Sequence, residues 1–283
     1  TSQVQLESAN QGYSGQPSSS LPLDYDGDGD QDLFVAILSG VERNSVLYEN
    51  SSTQGGLPEF TDRTSERFLQ GQEPAVGALG ICAGDMDGDG DEDLFVAHPG
   101  GSYLYRADWT GGQFQHYENV AGSPAYFAAG TEGWLQDVLC AAWIDYDHDG
   151  DLDLQLGRGT FEIHEGEAGG AAYQQFSGAR GALFQNQTGE VGGGEPLFLL
   201  QQDTGLTPPE SSPAATAVVW CDLNSDGLWE VFVGDAGGSD SRLYRQVNGE
   251  TFMRAQAFGL PGVVSAQWFD ADQDGIFDLL ATQ

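Results

Sequence analysis

The apolar positions of this chain fall into short runs, not long stripes. Leu33-Phe34-Val35, Leu94-Phe95-Val96, Leu154-Gln155-Leu156, Val231-Phe232-Val233 and Leu279-Leu280-Ala281 each follow a polar, Asp-rich stretch. Apolar runs this short, bounded by turn formers, predict strands. Four of the stretches are preceded by a small-residue, β-prone run, at 78–84, 138–144, 215–221 and 263–269. A Leu-aromatic pair follows each of the first four triplets: Leu47-Tyr48, Leu104-Tyr105, Leu183-Phe184 and Leu243-Tyr244. A further alternating segment comes after each pair, at 59–61, 113–119, 196–202 and 251–257. The pattern predicts four antiparallel strands per repeat, hence an all-β protein. No run of 18 apolar residues is present, so no membrane insertion is expected.

The polar stretches share one nine-residue pattern, at 24–32, 85–93, 145–153, 222–230 and 270–278. Positions 1, 3, 5, 7 and 9 are Asp24, Asp26, Asp28, Asp30 and Asp32 in the first copy. They are Asp85, Asp87, Asp89, Asp91 and Asp93 in the second, and Asp145, Asp147, Asp149, Asp151 and Asp153 in the third. The fourth copy carries Asp222, Asn224, Asp226, Leu228 and Glu230, the fifth Asp270, Asp272, Asp274, Ile276 and Asp278. Alternate carboxylates on a curled loop supply the six to eight hard oxygens that calcium takes, and position 6 is Gly throughout, where a sharp turn needs positive φ. Leu228 and Ile276 at position 7 point to a backbone carbonyl ligand there, and position 9 is expected to close the site. The pattern therefore predicts up to five Ca2+ ions, bound more weakly in the fourth and fifth loops. An EF-hand is excluded: position 12 is Val35, Val96, Leu156, Val233 or Ala281, inside a strand.

Composition sharpens this picture. The formal net charge is −35, from 44 acidic residues against nine basic ones, all Arg. More than half of the acidic residues lie in the five loops, so most of the acidity belongs to the motif. Such a surface repels nucleic acid. Three cysteines, Cys82, Cys140 and Cys221, do not make a disulfide framework. All three fall on one face of a first strand and read as small buried residues; Trp143, Trp220 and Trp268 fall on the other and read as packing between repeats. The chain begins at Thr1 with no charged-then-apolar leader, so a secretion signal is expected to be removed or to lie outside the sequence.

Four strands per repeat, repeated radially, describe a β-propeller. The Asp-x-Asp-x-Asp-Gly-x-x-Asp-Leu loop, the Leu-Tyr strand and the linkers Thr204-Gly205-Leu206 and Phe258-Gly259-Leu260 resemble FG-GAP/VCBS repeats. These occur in the cartilage acidic protein group and, more distantly, in integrin α-subunit propellers. The resemblance spans nearly all of residues 1–283, read as a single propeller domain. It implies an extracellular, secreted or cell-surface location, calcium on the loop joining the first two strands of each blade, and adhesion or ligand binding. Residues Val4–Ala9 read as a fourth strand lacking its blade. The ring either closes with five blades, one incomplete, or belongs to a six- or seven-bladed propeller, alone or with other domains of a larger surface protein.

The longest irregular segments are expected at 121–136 and 158–179, both on the face opposite the calcium loops. They carry Tyr126, Phe127, Trp134, Phe161, His164, Tyr173 and Phe176, a candidate patch for a protein or glycan ligand. No catalytic constellation is recognisable, so the leading reading is not an enzyme. The alternative is a calcium-dependent carbohydrate-active enzyme of lyase or dehydratase type.

Overall fold

The computed structural model describes residues 16–39, 45–51, 59–121, 126–127, 131–164, 173–178, 181–187, 197–202, 204–206, 214–237 and 240–283. Val4–Ala9 lies outside them, and so does the composite blade built on it. The chain divides into two compact units, Thr1–Ser123 and Pro124–Gln283.

The first unit holds two four-stranded antiparallel sheets, each in chain order. One is β1 (Gln16–Leu23), β2 (Asp32–Ser39), β3 (Val46–Asn50) and β4 (Phe60–Asp62); the other is β5 (Gly80–Gly84), β6 (Asp93–Ala97), β7 (Tyr103–Trp109) and β8 (Phe114–Asn119). The apolar triplets form the second strands. β6 is buried along its whole length, which is why Leu94-Phe95-Val96-Ala97 is continuously apolar. The two sheets pack face to face: Tyr25, Phe34 and Leu47 of the first meet Tyr105, Phe114 and Tyr117 of the second. Phe68, just past the short helix α1 (Thr64–Arg67), wedges between them, its ring centroid 4.9 Å from Tyr105 and 5.3 Å from Tyr117. Phe34 and Phe95 are fully buried, each contributing ~1.5–3 kcal/mol relative to exposure.

The second unit continues the pattern. β9 (Val138–Ile144), β10 (Asp153–His164), β12 (Ala182–Asn186) and β13 (Phe198–Gln201) are the four repeat strands of the third, five-stranded sheet. β14 (Ala215–Cys221), β15 (Glu230–Asp235), β16 (Arg242–Asn248) and β17 (Thr251–Ala257) make the fourth, and β18 (Ser265–Phe269) pairs with β19 (Asp278–Thr282) in a two-stranded sheet. Residues expected to be irregular at 158–179 instead extend β10 beyond its partner β9 and pair it with β11 (Tyr173–Gly178), from Gly159 opposite Gly178 to His164 opposite Tyr173. The turn-rich composition had masked this hairpin.

First strands carry the packing between repeats, as their small residues suggest. Cys140 and Ala142 of β9 face the fourth sheet, where the Cys140 thiol lies 3.4 Å from the Ala215 carbonyl. A side chain at Gly157 would come within 2.7 Å of that same carbonyl, so only glycine admits this approach. Burial pushes the Cys140 thiol up to about 12, consistent with an inert, partly buried packing residue. Trp220 faces back toward the third sheet and Trp268 toward the fourth, with its ring 6.4 Å from Phe232. Among the described residues no helix is long and apolar enough to cross a membrane.

Candidate metal centres

Each Asp-rich loop joins the first strand of a sheet to the second, and the five share one hydrogen-bonded scaffold. The carboxylate at position 1 accepts the N–H of the Gly at position 6: Asp24 from Gly29 (3.0 Å), Asp85 from Gly90 (2.9 Å), Asp145 from Gly150 (3.3 Å), Asp222 from Gly227 (2.9 Å) and Asp270 from Gly275 (2.9 Å). Position 5 accepts from the N–H of position 7 in every copy. These side-chain-to-backbone bonds curl the loop before any ion is considered. Gly29, Gly90, Gly150, Gly227 and Gly275 have φ between 81° and 101°, as the spacing required. Position 4 is left-handed too, at Gly27, Gly88, His148, Ser225 and Gln273, and this the sequence did not disclose. In the first loop it must be Gly, because a Cβ on Gly27 would lie 2.8 Å from the Trp109 ring.

Position 9 has a role that sequence reasoning missed. Its carboxylate is buried in the first four loops and accepts the backbone N–H of position 2: Asp32 from Tyr25 (3.2 Å), Asp93 from Met86 (2.9 Å), Asp153 from Tyr146 (3.0 Å) and Glu230 from Leu223 (2.9 Å). In the first three loops the second oxygen accepts from the third strand, at Asn50 (2.7 Å), Ala107 (2.8 Å) and Asn186 (2.8 Å). The residue is thus a staple between loop and sheet as well as a candidate ligand.

Four groups of carboxylates converge, each with one oxygen per residue within 4.8 Å of the others: Asp24, Asp26 and Asp32; Asp85, Asp87 and Asp93; Asp145, Asp147 and Asp153; Asp270, Asp272 and Asp278. The first three loops also contain buried carboxylate oxygens that no hydrogen-bond donor reaches, on Asp24, Asp26, Asp30, Asp87, Asp145 and Asp151. An anionic oxygen buried without a donor is costly, and a cation is the natural partner. Asp30 and Asp151 stand at position 7, so in these loops the side chain turns inward where only the backbone carbonyl was expected. The donor set is all oxygen, which suits hard cations such as calcium or magnesium.

Electrostatics agree. Burial, reinforced by neighbouring carboxylates, raises Asp26 and Asp30, pushes Asp87 up to about 6, Asp32 and Asp151 up to about 7, and Asp93 and Asp153 up to about 8. The fifth loop is exposed and shows no such orphaned oxygen among the described atoms. Side chains around the first loop anchor it. The Tyr25 hydroxyl donates to Glu49 (2.8 Å), and Arg63 and Arg67 both pair with Glu49 at 3.2 Å.

The third and fourth loops are joined directly. The Trp229 indole donates to the Asp145 carbonyl (2.9 Å), Gln246 donates to the Tyr146 carbonyl (2.9 Å), and the His148 ring lies 2.9 Å from the Gly227 carbonyl while stacking on Trp229 at 5.6 Å.

The candidate ligand patch is divided by the structure. Tyr126 and Phe127 are buried, Phe127 against Phe184 and Phe198, so their rings are not presented to a partner. Trp134 is half-buried under the Arg158 guanidinium at 4.9 Å, and Arg158 also donates to the Gln136 and Gly133 carbonyls. Phe161 pairs in register with Phe176, and His164 with Tyr173, along the β10–β11 hairpin.

A family model described as FG-GAP-like repeat matches residues 24–96, 85–155 and 198–281; the first two matches open on position 1 of an Asp-rich loop, and the third takes in the fourth and fifth loops. No curated protein matches the chain.

Proposed function

Because this chain belongs to the FG-GAP-like repeat family, we propose that it is a calcium-binding propeller module in which the first three loops each hold one ion and the exposed fifth holds one more weakly. The buried, donor-less carboxylate oxygens of those three loops carry the reading. Position 1, 3 and 7 side chains would ligate, with position 9 holding the loop to its sheet; the bound ion supplies positive charge and stiffness, and no reaction is assigned to it. Each four-stranded sheet is then a blade, and the module is a binding protein acting where calcium is abundant, outside the cell. Its partner, a protein or glycan, would meet the end of the third sheet away from the loops, where the β10–β11 hairpin projects.

Calorimetric titration of chelator-treated protein with Ca2+ tests the calcium reading. Saturable binding is expected, with Asp26→Ala, Asp87→Ala and Asp147→Ala each removing one strong equivalent. No saturable binding, or strong binding that survives all three changes, rejects it. The same titration checks the loop–loop link. Trp229→Phe keeps the ring but deletes the bond to the Asp145 carbonyl, a loss of about 1 kcal/mol. One strong equivalent is therefore expected to weaken about fivefold, while the other two stay unchanged.

A further inference from the structure

We infer that the fourth loop carries its own cation: the Arg245 guanidinium, helped by the Asn224 amide, stands in for the metal ion that the first three loops take. The inference rests on the calcium reading of those loops.

The third strand sets up the substitution. In each of the first four sheets the residue after the third-strand aromatic sits beside the loop end of the second strand. These residues are Glu49, Arg106, Gln185 and Arg245, and β16 pairs Arg245 with Glu230 directly. Their side chains do different things. Glu49 is held by Arg63 and Arg67, Arg106 pairs with Glu118 at 3.3 Å, and Gln185 donates to Asp147 at 2.6 Å. Arg245 brings a positive charge onto loop carboxylates. Its Nη2 lies 2.8 Å from Asp226 and its Nε 3.6 Å from Glu230.

The rest of the loop is altered to match. Asn224 replaces the carboxylate at position 3 and donates its amide to Glu230 (3.2 Å), so a donor occupies the place of a ligand. Position 7 is Leu228. Three acidic residues remain, against five, six and five in the first three loops. No fourth-loop oxygen is among the buried, donor-less atoms, and its carboxylates form none of the converging groups. A divalent ion entering here would meet a guanidinium and fewer oxygens. The fourth loop would accordingly keep its shape without metal and hold the third loop through Trp229 and His148.

Two variants test this by equilibrium dialysis against Ca2+. Asp26→Ala, Asp87→Ala, Asp147→Ala and Asp272→Ala combined should leave no bound calcium; a residual equivalent overturns the inference. In the otherwise native chain, Asn224→Asp with Arg245→Gln should add one equivalent. A folded double variant, judged by an unchanged far-UV spectrum, that adds none also overturns it. If the native protein binds no calcium at its first three loops, the calcium reading itself fails and this inference falls with it. Should the double variant not fold, the fourfold variant still decides.

Discussion

At about pH 8, calcium at a hundredfold excess over its Kd is expected to raise the melting temperature by about 5–10 °C per strong loop; at about pH 5.5 the rise should be far smaller. Linkage gives the size: binding to the folded state alone contributes about 2.7 kcal/mol at that excess, and each kcal/mol moves a melting point by about 2–4 °C in chains of this length. The pH dependence comes from the carboxylates. Metal-free, the buried Asp residues titrate well above their ordinary value of 3.8, Asp87 near 6, Asp32 and Asp151 near 7, Asp93 and Asp153 near 8. A folded pKa raised above the unfolded one adds stability that is fully present below about pH 4 and is lost as pH climbs through 6 to 8. The metal-free protein should therefore melt progressively earlier across that range. Calcium needs the ionised form and displaces protons, so it rescues most where the metal-free protein is weakest. The unit spanning Thr1–Ser123 holds two strong loops and should gain about twice what the other gains. Scanning calorimetry with chelator or calcium at the two pH values checks this. An equal calcium shift at both, or a metal-free protein that is more stable at pH 8, would contradict it.

The second large effect separates holding an ion from holding the fold. Asp93→Ala should destabilise the first unit by about 4 kcal/mol even in chelator, since the buried N–H groups of Met86 and Ala107 lose their acceptor at about 1–3 kcal/mol each. Asp87→Ala, six residues earlier in the same loop, should be close to neutral in chelator and should lose only the calcium-dependent rise. Denaturant unfolding of both variants, with and without calcium, gives four midpoints. Equal losses for the two variants in chelator would show that position 9 is not a staple.

Much of this architecture was legible because it is written in local patterns. The second and third strands announce themselves as apolar triplets and Leu-aromatic pairs, and the loops by alternating Asp with Gly at position 6. β1 was harder to read. Its Gln-Pro-Ser-Ser-Ser-Leu-Pro-Leu sequence lacks β-branched residues, and it tolerates Pro17 and Pro22 because it is an edge strand that pairs only with β2. The β10–β11 hairpin was hidden by glycine-rich composition. In the candidate sites, the converging carboxylates were visible but the division of labour was not. Nothing in the spacing says that Asp93 spends its oxygens on backbone amides, or that Arg245, some fifteen residues downstream of its loop, reaches back into it. Both depend on strand register, which links positions distant in sequence. Tyr126 and Phe127 erred in the opposite sense: aromatics in a loop-like segment turned out to be core.

The two-stranded sheet at the end of the described chain has a consequence of its own. One face of β18–β19, with Trp268 and Leu279, rests on the fourth sheet, while the other leaves Phe269 40% and Leu280 53% exposed. A hairpin of two strands is marginal by itself, and among the described residues this one rests on a single interface. Local opening there costs less than anywhere the sheets are covered on both faces. Among the described strands, Ser265–Phe269 and Asp278–Thr282 are therefore expected to exchange their amide hydrogens before β6 does.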